Sequence, residues 1–399
     1  MKKLECSRMQ SNAVECNRVP SKAPSDAFWL RMALAEARKG EGLTRPNPPV
    51  GAVLVQDGVC IGKGYHHAAG KPHAEVEAFE EVSFPGNAAT LYVTLEPCST
   101  HGRTPPCTER IIREGFVKRV VIGCLDMNPR HAGHGVALLQ AAGIDVSVID
   151  TTHHLPLTTH HSLLTALRSL IAPFQKWVTT GRPFLTLKLA QTRDGFIGVK
   201  SKPRVIISCP ESLARVQRMR RRVDAVMVGV GTVLADNPRL LCAKARRGQE
   251  LWRVVVDSRG RTPLSSTVCT DAARGRTVIA VTSLCPAHRR RAFEEAGVNV
   301  WTLPWRGGKV SLPALAERMG REGWLHVLCE GGGELAGALV RERLVDELHL
   351  ATSPRTLGRG IRTFGKEKNV DRAFTWTRRE KVGQDEWRTG IQTAKYAEK

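Results

Sequence analysis

No apolar run in this chain of 399 residues approaches the roughly 18 that a membrane-spanning helix needs. Residues 1–24 lack the apolar core of a secretory leader. Their Ser, Asn, Lys and Pro content predicts a disordered extension, and a start codon assigned upstream of the domain would give the same pattern. The 11 cysteines form no dense framework in a short chain, which suits a reducing cytosol rather than a disulfide scaffold. A cytoplasmic location without membrane attachment is therefore expected. Acidic residues are scarce: 38 against 60 Lys and Arg, a formal net charge of +22. That balance favours anionic partners, whether phosphorylated metabolites, nucleic acid or acidic surfaces, without choosing among them. The basic runs 218–222 and 289–291 look like nucleic-acid patches, but each falls on a helix pattern where a solvated face explains it, so nucleic acid is not the expected partner. The length predicts two domains.

What is present is concentrated between His73 and Cys107: His73-Ala74-Glu75, then Leu95-Glu96-Pro97-Cys98, then Thr104-Pro105-Pro106-Cys107. One imidazole and two thiolates make three ligands for zinc and leave a fourth tetrahedral position for water, the arrangement of a catalytic site. Glu75, two residues beyond the ligand His, is placed to take a proton from that water and hand it to a leaving amine, as zinc deaminases do. Each piece alone is ordinary, since His-Ala-Glu often starts a helix and Pro-Cys is often a buried thiol near a turn. Their order, with a strand-like 90–95 leading into Cys98, points to a catalytic zinc. A purely structural zinc would need a fourth protein ligand, for which His101 is the near candidate. Nucleic-acid and nucleoside deaminases usually close the site with Pro-Cys-x-x-Cys, whereas here residues 99–106 separate the thiols.

The longer loop, with Pro46-Asn47-Pro48-x-Val50-Gly51, Gly70-x-Pro72-His73-Ala74-Glu75, Glu96-Pro97-Cys98-Ser99 and residues 101–107, resembles the bifunctional pyrimidine deaminase-reductases of riboflavin biosynthesis. The resemblance runs over nearly the whole chain from Asp26. It implies a cytidine-deaminase-like α/β/α sandwich followed by a dihydrofolate-reductase-like α/β domain, with Zn2+ and NADPH as cofactors and a homodimer as the assembly. It implies deamination of a phosphorylated pyrimidine, 2,5-diamino-6-(5-phosphoribosylamino)pyrimidin-4-one, to the uracil, then reduction of its ribosyl to a ribityl chain. The expected boundaries are 25–170 for the deaminase, 171–182 for a linker and 183–399 for the reductase.

In chain order, Asp26 can cap a helix stopped by Gly40, and 49–62 forms a hairpin turning at Asp57-Gly58. The Pro-bracketed Asn47 is either a turn former or a substrate contact, and the resemblance favours the contact. Pro72 pre-sets a helix carrying His73 and Glu75, and Cys107 opens another. Strands at 119–123 and 144–149 alternate with a helix at 135–142, arguing for a sandwich with the ligands at strand ends. His153-His154 and His160-His161 lack an accompanying acid or thiol and are read as solvated, beside a linking helix at 162–174.

A second sheet starts at 184–190, with further strands at 225–232 and 253–257. Thr232 and Asp236 suit a ribose or amide, although their Gly-x-Gly lacks the dinucleotide spacing. Residues 325–336 read as strand, three glycines and helix, where backbone amides can hold a phosphate or simply make a tight turn. By position, the resemblance assigns Ala190, Thr232, Asp236, Ser258, Gly331, Gly332 and Gly333 to the cofactor and Arg220, Leu240 and Glu330 to the ribose-phosphate substrate. Departures also stand out. Lys202-Pro203-Arg204 and Ile206 replace a Gly-Glu-Ser turn and a Trp beside the nicotinamide; Ala243 replaces a phosphate-binding Arg, for which Lys244, Arg246 or Arg239 are the available substitutes. Arg45 and Thr100 stand where members often have His. Ile206 and Ala243 keep one rival open, a deaminase with a degenerate reductase half; the excess of basic residues keeps another, a nucleic-acid-binding or editing deaminase, against which the long Cys98–Cys107 loop argues.

Overall fold

A computed structural model describes residues 24–83, 86, 88–102, 104–128, 131–149, 157–199, 206–367 and 370–393. The readings of residues 1–23, Lys202-Pro203-Arg204, His153-His154 and the side chains of His160 and His161 lie outside the described residues.

The first sheet has the order β2-β1-β3-β4-β5, built from β1 (Gly51–Gln56), β2 (Val59–Tyr65), β3 (Ala89–Leu95), β4 (Val117–Cys124) and β5 (Asp145–Val148). β1 pairs antiparallel with β2 and β3, whereas β3, β4 and β5 run parallel. Asp57 and Gly58, both at positive φ, make the primed turn that suits the twist of the hairpin. Alternation along β1 sends Val53 and Val55 to one face and Ala52 and Leu54 to the other. The first face is covered by α1 (Asp26–Ala37) and α5 (Leu157–Thr180). The second is covered by α2 (Ala74–Glu80), α3 (Cys107–Glu114) and α4 (His134–Ala141), with Phe79, Ile111 and Leu139 at its centre.

Two local expectations are corrected. Asp26 is the first residue of α1 rather than its cap; Ser25 holds the cap position, and the Asp26 carboxylate accepts from Tyr92 and, through both oxygens, from Arg119. Arg119 holds that carboxyl below its ordinary range, so the residue ties α1 to β3 and β4. His73 is the N-cap of α2, in extended conformation, and Pro72 lies outside the helix.

The second sheet has nine strands in the order Asn299–Thr302, Thr277–Val281, Trp252–Val256, Ala225–Gly229, His326–Cys329, Phe184–Thr192, Glu347–Ser353, Asp385–Gln392 and Phe374–Val382. The first seven are parallel, and Asp385–Gln392 pairs antiparallel with both Glu347–Ser353 and Phe374–Val382. Five of the parallel strands are apolar on both faces, as helices on both sides require, whereas Phe184–Thr192 and Glu347–Ser353 carry Thr186, Lys188, Glu347 and His349 on their second face. The strand expected over 225–232 ends at Gly229, and Val230–Asp236 is a helix whose Val230 and Val233 turn into the core.

α5 serves both halves. Leu163, Leu167, Leu170 and Ile171 pack into the core of the first sheet. Beyond Pro173, Trp177 Nε1 donates to the Gly320 carbonyl at 2.8 Å, and Lys176 pairs with Asp346, which also accepts from the Leu185 N–H. Residues 171–180 of the stretch read as a linker are therefore helical and packed. No helix among the described residues is long and apolar enough to cross a membrane.

Candidate active sites

In the first half, His73 at the cap of α2, Cys98 just after β3 and Cys107 at the first position of α3 converge from three segments. Their ligand atoms lie within 4.8 Å of one another. His73 Nδ1 is 3.2 Å from Cys107 Sγ and 3.5 Å from Cys98 Sγ. A tetrahedral zinc with ordinary Zn–N and Zn–S bonds separates such donors by roughly 3.6 Å. The donor set and its spacing therefore fit zinc. His101 is outside the cluster, exposed and 3.7 Å from Glu109, so it supplies no fourth ligand.

The thiols are prepared unequally. The Cys107 hydrogen bond, followed by the His73 ring and the Cys107 N–H, holds Cys98 down to about 4. The same shared hydrogen bond and burial push Cys107 well up. Glu75 is 3 % exposed, and its burial raises its carboxyl above the ordinary range, opposed first by the His73 charge. It also shares a hydrogen bond with Cys107, which puts the carboxyl directly against the ligand cluster.

Asn47 reaches the same place indirectly. Its Nδ2 donates to His66 Nε2 at 3.0 Å, and His66 Nδ1 is 3.0 Å from the carbonyl of Pro72, the residue before His73. Both bonds form with the neutral ring protonated on Nδ1, and burial pushes the His66 pKa down, favouring that neutral form. His66 was not singled out from sequence; a His seven residues before the ligand His carries no spacing rule.

The supporting shell centres on Glu96, which is 5 % exposed. Its carboxylate accepts from the N–H groups of Asp126, Gly133, Gly135 and Val136, capping α4 and holding the wall beside Cys98. Gly135 is required there, because a Cβ would lie 2.3 Å from the Pro97 carbonyl. The substitution Glu96→Gln removes the charge and turns an amide NH2 toward these donors. It is expected to cost the amino-terminal half about 1.5–3 kcal/mol, read as a lower denaturant midpoint.

In the second half, Ser258, the strand-to-helix junction from Gly229 to Thr232, Glu330 to Gly333 and Ala190 lie toward the carboxyl ends of four neighbouring parallel strands. Open α/β sheets bind ligands at that edge. Thr232 Oγ1 approaches Gly332, being 3.6 Å from where its Cβ would stand. Gly333 opens the helix Gly333–Arg341 with no space for a side chain, since a Cβ would meet the Arg362 carbonyl at 2.2 Å. Ser258 Oγ accepts from the Val310 N–H, and Asp236 ends its short helix half-buried.

The substrate residues are partly brought together. Arg220 pairs bidentately with Glu330, at 2.7 and 2.8 Å, and donates its third nitrogen to the Leu241 carbonyl. The solvated-face reading of the 218–222 run is thus corrected for Arg220, and Arg289 likewise turns inward to the Gly260 and Thr262 carbonyls. Leu240 is packed in the core at positive φ, so only its backbone is available to a ligand. Lys188 was read only as a strand residue. It is buried with its ammonium 5.5 Å from the Trp387 ring centroid, and desolvation lowers its pKa against the raising charges of Glu330 and Asp385.

Of the substitutes for the absent phosphate arginine, Arg246 is excluded, because its guanidinium binds carbonyls of the first half. Ile206 is exposed, leaving an aliphatic side chain in solvent where a stacking ring was missed.

Residues 24–124 match the family of the cytidine and deoxycytidylate deaminase zinc-binding region, and residues 183–387 match the RibD C-terminal domain. The riboflavin biosynthesis protein RibD of Escherichia coli K12 is 37% identical over 363 residues, 87% of this chain and 93% of its own. That of Aquifex aeolicus VF5 is 36% identical over 336 residues, 84% and 89% of the two chains. The structure of Acinetobacter baumannii RibD superposes with a TM-score of 0.78 at 31% identity, covering 92% of this chain and 99% of that one. Fold and ligand set define a zinc-dependent deaminase fused to an NADPH-dependent reductase. The pairing of these two domains along most of both chains narrows that class to one lineage. The chain belongs to the RibD family, the bifunctional deaminase-reductases of riboflavin biosynthesis.

Proposed function

We propose that His73, Cys98 and Cys107 hold the zinc and that Glu75 moves the protons in hydrolytic deamination of 2,5-diamino-6-(5-phosphoribosylamino)pyrimidin-4-one. The observation that carries this reading is the buried Glu75 carboxyl lying against the three-ligand cluster. Zinc held by these residues would supply Lewis acidity and an acidified water. Glu75, with its carboxyl raised by burial, accepts a proton from the attacking water and passes one to the departing amine. Asn47 is the pyrimidine contact, its amide oriented by His66. Burial of Glu75 keeps bulk water from competing for the proton.

In the second half, NADPH when bound would supply the hydride that turns the ribosyl into a ribityl chain. Ala190, Thr232, Asp236, Ser258 and Gly331 to Gly333 would face that cofactor, while Arg220, Glu330 and the Leu240 backbone would face the ribose phosphate. The buried Lys188 amine, close enough to Glu330 and Asp385 to feel both charges, would be the group that gives a proton to the opened ribosyl oxygen. The net charge of +22 suits a phosphorylated substrate. The working unit is a cytoplasmic homodimer, with the deaminase at 25–170, a connection at 171–182 that is helical to Thr180, and the reductase at 183–399.

The test is one tube containing zinc-loaded protein, the diamino substrate and NADPH, with ammonia and NADPH oxidation followed together. Ammonia release followed by NADPH loss is the expected result. Ammonia alone, with added deaminated intermediate left unreduced, would make Ile206 and Ala243 the marks of a degenerate reductase. Silence in both channels would return attention to nucleic-acid binding.

A further inference from the structure

Residues 38–47, which lead from α1 to Asn47, are held by the second half of the chain. Arg246 Nη1 donates to the carbonyls of Arg38, Lys39 and Glu41 at 3.4, 2.8 and 3.1 Å. The Arg38 carbonyl is that of the C-cap of α1, where a cation is favoured by the helix dipole, and the Lys39 and Glu41 carbonyls belong to the turns just beyond it. Arg222 pairs with Glu41 at 3.4 Å. Gly42 sits at positive φ with no room for a side chain, because a Cβ would stand 2.6 Å from the Arg221 carbonyl. Arg45 donates to Glu250 at 2.7 Å and lies 3.9 Å from Asp224, a buried carboxylate that accepts from the Leu325 and His326 N–H groups.

The far end of this loop is stiff. Thr44 Oγ1 donates to the Asn47 carbonyl at 2.9 Å, and the Asn47 N–H donates to the Thr44 carbonyl at 2.9 Å. Asn47 then continues through His66 to Pro72. On the other side, Gln249 accepts from the Arg246 N–H and donates to the Arg220 carbonyl at 3.0 Å, so the 246–250 segment touches the residue that pairs with Glu330.

We propose that Arg246, backed by the Arg45–Glu250 pair, is a positioning residue for the deaminase: the reductase half clasps the 38–47 loop and thereby fixes Asn47 against the pyrimidine. The clasp uses side chains of one half and mostly backbone of the other, so its effect is on the placement of Asn47 rather than on the chemistry at Glu75. The inference rests on the reading of Asn47 as a substrate contact.

Full-length, zinc-loaded Arg246→Met, Arg246→Lys, Glu250→Gln, Asn47→Ala and the Arg246→Met/Asn47→Ala double variant are compared by ammonia-release kinetics. Hydrogen exchange of peptides covering residues 38–50 is measured on the same proteins. Arg246→Met is expected to lose about tenfold in kcat/KM, mainly through KM, and to exchange faster over 38–50. Arg246→Lys regains part of both, and Glu250→Gln speeds exchange over the same peptides. The double variant loses no more than Asn47→Ala alone, because the two residues act through one contact. Unchanged exchange over 38–50 in both Arg246→Met and Glu250→Gln overturns the clasp. Additive losses in the double variant overturn the link to Asn47. Wild-type ammonia release by Asn47→Ala removes the underlying reading of that residue, while the exchange result judges the clasp by itself.

Discussion

Glu75→Gln protein binds zinc and folds normally but releases ammonia about 10²–10⁴ times more slowly than the parent. The substitution keeps the volume and a hydrogen-bonding oxygen in a site that is 3 % exposed, so packing around α2 is preserved. What disappears is a group able to exist in both protonation states. The His73, Cys98 and Cys107 donors are untouched, and metal content should therefore match the parent when measured by atomic absorption. NADPH oxidation with the deaminated intermediate supplied directly should also survive, because the second half does not use Glu75. Retained ammonia release would end the assignment of Glu75 as proton carrier.

Arg220→Met is expected to produce the opposite pattern, with ammonia release intact and NADPH oxidation reduced at least about a hundredfold. The guanidinium is matched bidentately to Glu330 and anchored to the Leu241 carbonyl, and both partners are largely buried. Removing one member leaves a carboxylate with its desolvation uncompensated, a cost of about 3–5 kcal/mol. Glu330 would then move, bind a proton or draw in water, and each response displaces the group expected to meet the ribosyl chain. Gln249 holds the Arg220 carbonyl rather than its side chain, so the 246–250 segment keeps its anchor. The Arg220→Met/Glu330→Met pair separates stability from catalysis. Removing both charges should restore the thermal midpoint, since an apolar pair of similar size replaces a buried ion pair at little cost, while reduction stays impaired. Recovery of NADPH oxidation in the double variant would show that the pair is only structural.

Much of this arrangement is legible in the sequence because it is local. The ligands occur in short motifs beside strand and helix boundaries, the Asp57-Gly58 turn declares its hairpin, and the run of three glycines after Cys329 marks a strand-to-helix turn. The misplaced boundaries are also local, but there tertiary packing wins over propensity. Residues 225–232 are rich in Val and Gly and read as one strand, yet Val230 and Val233 gain more by turning into the core as a helix. Asp26 has the composition of a cap and instead answers Arg119, 93 positions away. Long-range pairings of this kind leave no periodic trace. Lys188 looks like any strand residue until the Asp385 and Glu330 charges arrive from distant parts of the chain, and Arg246 looks like a phosphate ligand until α1 is folded beside it.

The helix α5, whose first half lies in one core and whose Trp177 is fastened to the other half, fixes a phase as well as a distance. At 24 residues it is roughly 36 Å long, and each added or deleted residue turns everything beyond it by about 100°. Length variation between the two halves is therefore quantised: a single-residue insertion within α5 would swing the 246–250 segment away from α1, whereas a whole-turn change would come closer to restoring the azimuth while altering the reach. The two activities are keyed to one another like gears on a common shaft.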